Sequence, residues 1–498
     1  MSTKNLTAQD LADQMESAVL VGDSATPVSD ITHDSRQAHA GSLFVAIRGL
    51  SMDGHRFVDD VMRRGAAGIV SEQNPSAGFE GVWLKVTDAR RALAEAADLI
   101  HSKPSSELDL VGITGTNGKT TTTYLTLAVA EANDKKAAML TTVEYRIGSE
   151  SRPAVRTTPE ASDTQRFLRE AVEKDCRIAV MEASSQAIHL RRCDHLDFRV
   201  AVFTNLTRDH LDYHHTMENY FDAKKELFDG RLGKPPASSV INIDDEWGRR
   251  LVKELRETGQ HVITCSQKSD ADLTALNIEV SLVSGTSFDL KTSRGTLRVN
   301  SPLVGTPHVY NMLSAAAVGL ELDYDLERIS KAFATCIGAP GRFERVVHDH
   351  DFAVVVDYAH SDDALLNTLR TASELAKGRI ITVFGCGGDR DKSKRGPMGK
   401  AAGMHSDLVV VTSDNPRTED PMEIIEGIEL GLKESACEYT IEPDRREAIF
   451  QAISKAAPND VVIIAGKGHE TYQIVGSDKF HFDDREIAAE AIEALDLR

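Results

Sequence analysis

The segment Gly-Ile-Thr-Gly-Thr-Asn-Gly-Lys-Thr-Thr at residues 112–121 constrains the fold of this chain more than any other. It follows an apolar run at 108–113 and opens a helical pattern over 120–132. The backbone N–H groups of such a strand–turn–helix unit can bind an anion. Its glycines lie at 112, 115 and 118, so the strict G-x-x-x-x-G-K-[ST] pattern is broken at Ile113. A tight connection is the simpler alternative, but the Lys-Thr pair before the helix favours phosphate binding.

Two side chains at the end of this turn have the chemistry that a nucleoside triphosphate needs. Lys119 can reach the β- and γ-phosphates, and the hydroxyl of Thr120 can bind Mg²⁺. We therefore expect the chain to bind ATP or a close relative.

Length and charge limit the remaining classes. At 498 residues the chain is long enough for about three domains. Its 57 basic and 77 acidic residues give a net charge of −20, which argues against a nucleic-acid partner. The six cysteines show no metal-binding spacing, and no run approaches the ~18 apolar residues of a membrane span. The first seven residues contain no apolar signal segment. We expect a soluble, cytoplasmic protein with reduced thiols.

The pattern of apolar runs predicts an α/β fold with three domains. Residues 1–105 read as a small α/β domain, followed by a linker at Lys103-Pro104-Ser105-Ser106. A central domain at 106–337 has apolar runs at 108–113, 178–181, 200–203 and 240–243 between helical stretches, which indicates a mainly parallel sheet. A third domain at 338–498 repeats the pattern with runs at 352–356, 380–384, 408–411 and 461–465, and is predicted to be Rossmann-like.

Polar residues follow several of these runs, where open α/β sheets bind ligands. Glu182 ends one run and is a candidate Mg²⁺ ligand, although a helix cap is an equally good reading of that carboxylate. His210 lies in a polar segment after the next run and is a candidate ligand or a structural hydrogen-bonding residue.

The helix predicted near 218–229 has a lysine in its apolar face. At 100° per residue, Tyr220, Phe221, Leu227 and Phe228 share one side, with Lys224 at its centre. Such a lysine either extends its ammonium to solvent or changes its chemistry. Reaction with CO₂ would give a carbamate, an anion able to bind metal. From the residues alone both interpretations stay open.

In the third domain, polar clusters follow four successive apolar runs. They are Asp357-Tyr358-Ala359-His360, Gly385-Cys386-Gly387-Gly388-Asp389-Arg390-Asp391, Ser413-Asp414-Asn415-Pro416-Arg417 and Gly466-Lys467-Gly468-His469-Glu470. Arg390 or Arg417 could pair with carboxylates, and Glu470 could bind an ammonium. Salt bridges between loops are the alternative, but the recurrence of the clusters at equivalent sheet positions favours an amino-acid pocket.

With these motifs in order, the whole chain resembles the Mur ligases of peptidoglycan synthesis. The resemblance covers nearly all of the chain and rests on a dozen motifs. They are Asp34-Ser35-Arg36, Leu43-Phe44-Val45-Ala46, the turn at 112–121, Thr157-Thr158-Pro159-Glu160, Glu182-Ala183-Ser184-Ser185, residues 205–213, Ala223-Lys224, Pro340-Gly341-Arg342 and the four clusters of the third domain.

The resemblance implies a role for each motif. It implies a UDP-binding N-terminal domain, a central ATPase domain and a C-terminal domain that receives the amino acid. Lys224 matches the family's carbamylated lysine, and Glu182 and His210 match its magnesium ligands, so Thr120, Glu182, His210 and Lys224 are the predicted metal site. The catalytic set is Lys119, Lys224, His210 and Glu182.

Three binding sets complete the prediction. The ATP-binding set is Gly115, Thr116, Asn117, Gly118, Lys119, Thr120, Thr121, Asn311, Arg342 and Asp357. The set for the UDP-muramyl dipeptide is Ser35, Thr157, Thr158, Ser184 and Arg192. The set for diaminopimelate is Arg390, Asp414, Asn415, Pro416, Arg417, Gly466 and Glu470. The intact tetrapeptide Asp-Asn-Pro-Arg is typical of the diaminopimelate-adding members, whereas lysine-adding members usually lack its arginine.

The chain departs from the family pattern at four places. Arg156 stands where the family has asparagine, Gln186 where it has histidine, and Leu190 where it has glutamine. Ser361-Asp362-Asp363 replaces a Thr-Pro-Asp sequence. Three of these lie near the muramyl-peptide contacts, so those contacts are predicted less firmly than the chemistry.

The resemblance implies an ATP-dependent, ADP-forming ligase of cell-wall synthesis, needed for cell shape and division. It would join diaminopimelate to the D-glutamate of UDP-N-acetylmuramoyl-L-Ala-D-Glu through an acyl phosphate. We expect a monomer that uses ATP and Mg²⁺, without nucleic-acid or membrane partners. Three alternatives remain: the same ligase with L,L-diaminopimelate or L-lysine, a folylpolyglutamate-synthetase-like ligase, and a nucleotide-binding switch. Arg417 disfavours lysine, Asp34-Ser35-Arg36 and the 414–417 segment disfavour the folate ligase, and the lack of an N-K-x-D motif disfavours a switch.

Overall fold

The computed structural model describes residues 6–49, 52–282 and 284–496. Residues 1–5 of the N-terminal segment considered above lie outside this description. The chain divides into two compact units. The first comprises Met1–Ala275, Leu290–Leu297 and Tyr310–Ala332, and the second comprises Leu276–Asp289, Arg298–Val309 and Phe333–Arg498. Each unit is described by itself below.

The first unit begins with a small sheet covered by short helices. Its elements are β1 (Leu6–Thr7), α1 (Ala8–Gln14), β2 (Val19–Val21), β3 (Pro27–Val28), β4 (Asp30–Thr32), β5 (Ser42–Val45), α2 (Val58–Arg63), β6 (Gly68–Ser71), β7 (Val82–Lys85) and α3 (Ala89–Ile100), with 3-10 turns at Gly54–Phe57 and Pro104–Ser106. The five-stranded sheet has the order β2-β7-β6-β5-β4, parallel except for β2. Helix α3 buries its alanine-rich face against this sheet.

A larger, mainly parallel sheet follows along the chain. Its elements are β8 (Asp109–Thr114), α4 (Lys119–Ala132), β9 (Ala137–Leu140), β10 (Glu144–Ile147), β11 (Glu150–Pro153), α5 (Ala161–Glu173), β12 (Ile178–Glu182), α6 (Ser185–His189), β13 (Phe198–Phe203), α7 (Leu211–His214), α8 (Met217–Lys225), β14 (Ser238–Asn242), α9 (Glu246–Glu257) and β15 (Val262–Ser266). The strand order is β11-β10-β9-β12-β8-β13-β14-β15. Strands β9, β12, β8, β13, β14 and β15 run parallel, so their carboxyl ends share one edge.

The next elements are divided between the two units. They are β16 (Leu273–Ser281), β17 (Gly285–Thr292), β18 (Gly295–Ser301), α10 (Thr306–Glu321) and α11 (Leu326–Thr335).

The second unit is built on a six-stranded sheet with helices on both faces. Its elements are β19 (Glu344–Val346), β20 (Ala353–Asp357), α12 (Asp362–Leu375), β21 (Ile380–Phe384), α13 (Arg395–His405), β22 (Leu408–Val411), α14 (Pro421–Leu432), β23 (Glu438–Ile441), α15 (Arg445–Ser454), β24 (Val461–Ala465), β25 (Tyr472–Val475), β26 (Asp478–His481) and α16 (Asp484–Asp496), with a 3-10 turn at Lys392–Lys394. The order is β19-β20-β24-β21-β22-β23, parallel except for β19.

Successive apolar side chains of these strands point to opposite faces of the sheet, so helices cover both faces. Val355 and Ile463 pack with helices α12, α13 and α14, whereas Val354 and Ile464 pack with α15 and α16. Successive side chains of a strand point to opposite faces, so a strand buried on both faces needs a continuous apolar run. This is the reason that the apolar runs of the third domain matched strands.

The predicted fold class is confirmed, and several runs coincide with strands. The runs 380–384, 408–411 and 461–465 have the bounds of β21, β22 and β24. The predicted linker contains the 3-10 turn at Pro104–Ser106, in which Pro104 and Ser105 are buried and the Ser105 hydroxyl accepts a hydrogen bond from the Asp197 N–H at 3.1 Å. The domain boundaries after 105 and 337 stay predictions.

Within the described part of the chain, no helix combines the length and the apolar character that a membrane span requires.

Candidate active site

The turn between β8 and α4 has a backbone that requires glycine at two positions. Gly115 has φ of 149° and Gly118 has φ of 87°. A Cβ at Gly115 would lie 1.9 Å from the Thr204 hydroxyl oxygen, and one at Gly118 would lie 2.5 Å from Oδ1 of Asn311. Substitution at either position would cause a clash as well as backbone strain. We refer to residues 112–121 as the phosphate loop.

The phosphate loop ends in a helix start that has no side-chain cap. Gly118 is the N-cap residue of the 14-residue helix α4, and no side chain accepts a hydrogen bond there. Thr120 and Thr121 lie buried in the first turn. The first N–H groups of a helix have no intrahelical acceptors, and together with the helix dipole they bind anions. The start of α4 therefore fits a phosphate group.

A second segment holds the phosphate loop in shape, and sequence reasoning missed its role. Asn205 accepts a hydrogen bond from the Asn117 N–H at 3.0 Å and donates through Nδ2 to the Asn117 carbonyl at 3.1 Å. The hydroxyl of Thr204 donates to the same carbonyl at 2.6 Å. Both residues follow β13, and the polar Thr-Asn pair after an apolar run was the available signal. Asn311 supports the loop from behind, since its Oδ1 accepts from Thr122 Oγ1 at 3.2 Å.

Two lysines meet at one carbonyl of the phosphate loop. The Gly115 carbonyl accepts a hydrogen bond from Nζ of Lys119 at 3.0 Å and from Nζ of Lys224 at 2.9 Å. Lys119 also donates to the Thr116 carbonyl at 2.9 Å. The structure thus brings the lysine of the loop and the lysine of α8 together, with both amino groups directed at the phosphate-binding turn.

Lys224 is buried, so its side chain does not extend to solvent. It is 1 % exposed, and its Nζ lies 4.5 Å from the centre of the Tyr220 ring. Burial lowers the pKa of Lys224 well below its ordinary value, and the nearby Lys119 ammonium lowers it further. No ion pair of Lys224 occurs among residues 6–49, 52–282 and 284–496. By contrast Lys225, its neighbour, forms a 2.6 Å ion pair with Glu254.

Glu182 is a buried carboxylate without a cationic partner among the described residues. It lies at the end of β12 and is 1 % exposed. Its Oε1 accepts from the backbone N–H of Thr142 at 2.9 Å, and the Thr142 hydroxyl lies 3.3 Å from both carboxylate oxygens. A buried carboxylate without a counter-charge is costly unless a cation binds to it. This donor set therefore fits a metal ion.

His210 is partly exposed and has an unusual backbone. Its φ is 52°, in the left-handed region, and its Nε2 lies 3.5 Å from Asp209 Oδ2. Burial of the ring lowers the pKa of His210, and Lys119 and Lys224 act in the same direction against Asp209. Metals bind the neutral imidazole. In the described ranges, no cluster of three or more His, Cys, Asp or Glu residues is arranged for a metal, so a metal here would need the hydroxyl of Thr120, the modified Lys224 or substrate oxygens as well.

Four of the residues predicted for the muramyl dipeptide lie around the end of β12. Thr158 donates through its hydroxyl to the Glu182 carbonyl at 2.8 Å, and its Oγ1 accepts from the Ser184 N–H at 3.1 Å. Arg192 donates to the Thr158 carbonyl at 3.1 Å. The hydroxyl of Thr157 accepts from Thr142, the residue that contacts Glu182, at 3.1 Å. The structure therefore places these side chains next to the predicted metal ligand.

The departure at position 156 brings a further arginine to this cluster. Glu160 is buried, and its Oε1 lies 2.7 Å from the Arg192 guanidinium and 3.0 Å from that of Arg156. Burial lowers the pKa of Arg192, although Glu160 opposes this. The Arg90 guanidinium lies 3.9 Å from Oε2 of Glu160. Three guanidinium groups therefore share one carboxylate, so positive charge remains for an anionic ligand.

Ser35 is not joined to that cluster by a hydrogen bond. Within the ranges described, no hydrogen bond of its side chain occurs, and its carbonyl accepts from Arg64 at 2.9 Å. The neighbouring Asp34 holds the turn, since it pairs with Arg36 at 2.7 Å. Hydrogen bonds from Arg36 lower the pKa of Asp34 to about 2.

In the second unit, three polar loops meet at the carboxyl ends of β21, β22 and β24. The Asn415 amide donates to Glu470 Oε2 at 2.9 Å, and its Oδ1 accepts from Nζ of Lys467 at 3.0 Å. Lys467 also lies 3.3 Å from Asp414 Oδ1 and 3.7 Å from Glu470 Oε2. We call residues 385–391, 414–417 and 466–470 the amino-acid pocket. Gly466 allows this approach, because its φ is 117° and a Cβ would lie 3.2 Å from Asp414 Oδ2.

Arg417 has a backbone conformation that is rare for a side chain of its size. Its φ is 53°, and its guanidinium donates to the Gly388 carbonyl at 2.7 Å. The hairpin of β25 and β26 fixes it, because Arg417 N–H donates to the Ile474 carbonyl at 3.1 Å. Pro416 packs its carbonyl closely against Gly388, where a Cβ would lie 2.0 Å from it. Arg390 is exposed, and no hydrogen bond of its side chain occurs among the residues that the structure describes.

Arg342 and Asp357 form a separate cluster in the second unit. The guanidinium of Arg342 lies 4.8 Å from the centre of the Tyr358 ring. Asp357 ends β20 and accepts from the Phe343 N–H at 2.7 Å and the Thr368 hydroxyl at 2.9 Å. Burial raises the pKa of Asp357, while Arg342 opposes the rise. Asn311, predicted for the same nucleotide, belongs to the first unit.

Together, the fold and these clusters indicate an ATP-dependent enzyme of the ligase class. Three family descriptions match the chain: the Mur ligase family catalytic domain at residues 27–101, the Mur ligase middle domain at 113–319, and the Mur ligase glutamate ligase domain at 341–468.

Full-length relatives agree with these matches. The UDP-N-acetylmuramoyl-L-alanyl-D-glutamate--2,6-diaminopimelate ligase of Geobacter metallireducens is 45 % identical and covers 98 % of each chain. The protein of the same name from Solibacter usitatus is 44 % identical and covers 94 % of each. A solved structure of a ligase with that name is 30 % identical, with a TM-score of 0.73 and 99 % coverage of both chains. The chain belongs to the Mur ligase family, whose members take part in peptidoglycan synthesis.

Proposed function

We propose that this chain is the ATP-dependent ligase that joins 2,6-diaminopimelate, in its meso form, to UDP-N-acetylmuramoyl-L-Ala-D-Glu. The observation that supports this choice of amino acid is the pocket in which Arg417 and Glu470 lie on neighbouring loops. An arginine and a carboxylate on neighbouring loops suit the carboxylate and ammonium of one amino-acid centre. L-Lysine has no carboxylate at its distal end and would offer Arg417 no anionic partner.

In the first step, the γ-carboxylate of D-glutamate attacks the γ-phosphorus of ATP, and ADP leaves. The N–H groups at the start of α4 hold the phosphates, and Lys119 neutralises charge on the transferring group. Bound Mg²⁺ would supply further neutralisation, with Thr120, Glu182, His210 and modified Lys224 as its ligands. The predicted ATP contacts of the second unit, Arg342 and Asp357, belong to the same proposal.

In the second step, the amine of diaminopimelate attacks the acyl phosphate carbon. The tetrahedral intermediate collapses, the C–N bond remains, and inorganic phosphate leaves with the electrons of the C–O bond. The proton leaves the amine as the amide forms. Glu470 and Arg417 hold the amino acid rather than act as strong bases.

We also propose that Lys224 reacts with CO₂ to form a carbamate. Its low pKa leaves the amine neutral over a range in which an ordinary lysine is an ammonium, and only the neutral amine attacks CO₂. The reaction forms an N–C bond and releases one proton, so a buried neutral amine becomes an anion. An anion at this position would balance the charge of Lys119 and of a metal.

The dipeptide set of Thr157, Thr158, Ser184 and Arg192 would hold the muramyl peptide near Glu182, and Ser35 would contact its nucleotide end. Arg156, which stands where the family has asparagine, would add a further positive charge to this set. We place the reaction in the cytoplasm, where ATP is available, and propose that the enzyme acts as a monomer. The domain boundaries at 105/106 and 337/338 belong to the same proposal.

The first experiment incubates the purified protein with ATP, Mg²⁺ and UDP-N-acetylmuramoyl-L-Ala-D-Glu, together with meso-diaminopimelate, L,L-diaminopimelate or L-lysine. Phosphate release is followed, and the product is identified by mass spectrometry. We expect release that depends on the dipeptide and on meso-diaminopimelate, with a tripeptide product. Phosphate release with L,L-diaminopimelate or L-lysine instead would identify that amino acid as the substrate. Phosphate release that does not depend on any of the three would favour the folate-ligase or switch alternative.

A further inference from the structure

Lys467 is the most enclosed charged side chain of the amino-acid pocket. It follows β24 and is 0 % exposed, although it belongs to none of the residues predicted to bind the amino acid. Its Nζ lies 3.0 Å from Asn415 Oδ1, 3.3 Å from Asp414 Oδ1 and 3.7 Å from Glu470 Oε2. One ammonium therefore contacts two residues of one neighbouring loop and one residue of its own loop.

These contacts determine the orientation of the Asn415 amide. Its Oδ1 accepts from Lys467 and also from the Ile474 N–H at 2.9 Å. Because both of these partners are donors, the amide oxygen must face them, and the Nδ2 group must face Glu470. The amide then donates to Glu470 Oε2 at 2.9 Å, which fixes that carboxylate.

The charges of the pocket lead to the same conclusion. Asp414 and Glu470 are two carboxylates that share one buried ammonium. Without Lys467 they would repel each other, and the Asn415 amide would lose one of the two donors that orient it. With Lys467 in place, Oε2 of Glu470 is engaged while Oε1 has no hydrogen bond within the described part of the chain, so it can accept one from a ligand.

We infer that Lys467 is a positioning residue for the amino-acid substrate: it orients Asn415 and Glu470 so that one Glu470 oxygen receives the substrate ammonium. The inference rests on the proposed function. The ligand is an amino acid with an ammonium beside a carboxylate at its distal centre, and Arg417, on the loop neighbouring that of Glu470, would bind that carboxylate.

The test is a double-mutant cycle of Lys467→Met and Glu470→Gln in the full-length enzyme, assayed by phosphate release. Lys467→Met should raise the KM for meso-diaminopimelate at least tenfold and change the KM values for ATP and the muramyl dipeptide less than twofold. In the Glu470→Gln background the same substitution should raise that KM less than threefold, because Lys467 acts through Glu470. Lys433→Met, at an exposed lysine that pairs with Glu429 at 3.0 Å, is the matched control.

The cycle separates this inference from the proposed function. If wild-type enzyme shows no turnover that depends on diaminopimelate, the proposed function is wrong. If wild-type turnover is normal but Lys467→Met has equal effects in both backgrounds, Lys467 has only a structural role and the inference is wrong. Should the methionine variant fail to fold, Lys467→Gln repeats the cycle, since an amide can still donate to Asn415 but has no charge.

Discussion

The phosphate loop of the first unit and the amino-acid pocket of the second unit lie at the same place in two similar sheets, but their charges are organised differently. At the phosphate loop, Lys119 and Lys224 donate to the Gly115 carbonyl. Glu182, at the end of β12, is buried without a cation among the described residues. In the amino-acid pocket and its supports, Lys467 lies between Asp414 and Glu470, and Arg445 pairs with Asp484.

This difference corresponds to the ligands that we propose. ATP and Mg²⁺ bring their own charges, and CO₂ would convert Lys224 into an anion, so the charges of a site for them are balanced only when these ligands are bound. A zwitterionic amino acid brings no net charge, and its recognition depends on fixed geometry. A pocket for it can be internally neutralised before the ligand arrives. Four substitutions test this contrast, in order of decreasing expected effect.

Asp484→Asn should have the largest effect, on stability. Arg445 and Asp484 are 0 % exposed and form a bidentate pair, with Nε–Oδ1 at 2.7 Å and an Nη–Oδ2 distance of 2.6 Å. Loss of one charge leaves the other buried and should lower the free energy of unfolding of the second unit by about 3–5 kcal/mol. Its Tm should fall by roughly 10 °C. Calorimetry measures it. Glu490→Gln, which breaks the exposed pair with Arg446 on the same two helices, should change the Tm little; equal shifts would contradict the contrast.

Lys224→Ala should lower kcat by about 10²–10³-fold, the range for a lost electrostatic contact to reacting groups. High bicarbonate should not restore activity. In the wild type, removal of CO₂ should inactivate the enzyme reversibly, and more readily at low pH, since carbamate formation releases a proton. Steady-state kinetics with and without bicarbonate check this. Lys225→Ala is the control, and full activity of the Lys224 variant would refute the carbamate role.

Arg417→Ala should raise the KM for meso-diaminopimelate and leave the KM for ATP unchanged. The expected loss is about 1.5–3 kcal/mol, the range for hydrogen bonds to charged groups, or roughly 10–150-fold. Initial-rate measurements at varied amino acid determine it. Arg446→Ala removes an exposed arginine of the same unit as the control. An unchanged KM for the amino acid would show that Arg417 does not bind it.

Asn205→Ala should have the smallest effect, about 1–2 kcal/mol from two hydrogen bonds to the phosphate loop. We expect a several-fold rise in the KM for ATP without a change in the KM for the amino acid. The control is Asn133→Ala, at the opposite end of α4, where the side chain caps the helix. A larger effect on the amino acid than on ATP would mean that the two regions are not organised separately.

Apolar runs made much of the fold predictable. Strands buried on both faces need continuous runs of valine and isoleucine, so β21, β22 and β24 could be placed to the residue. The exposed hairpins could not, because β10, β11, β25 and β26 alternate or are polar throughout. The segment at Pro104–Ser106 has the composition of a linker, and its 3-10 turn and its burial by tertiary contacts could not be predicted from that composition.

The candidate site was predictable where side chains are chemically unusual. Lys224 stood out as a cation on an apolar face, and its burial agrees with that reading. Asn205 and Lys467 did not stand out, because their roles come from contacts with residues distant in sequence. Asn205 meets Asn117, and Lys467 meets Asp414, only after the sheets have formed. A local sequence pattern does not predict contacts of this kind.

The backbone of Arg417 has a consequence for how this enzyme could evolve. A φ of 53° disfavours any residue with a Cβ, by roughly 1–2 kcal/mol relative to glycine. Arg417→Gly should therefore relieve strain even as it removes the guanidinium. Selection for stability alone would favour glycine at this position. We therefore expect arginine to persist there only under opposing selection for binding of the amino-acid substrate.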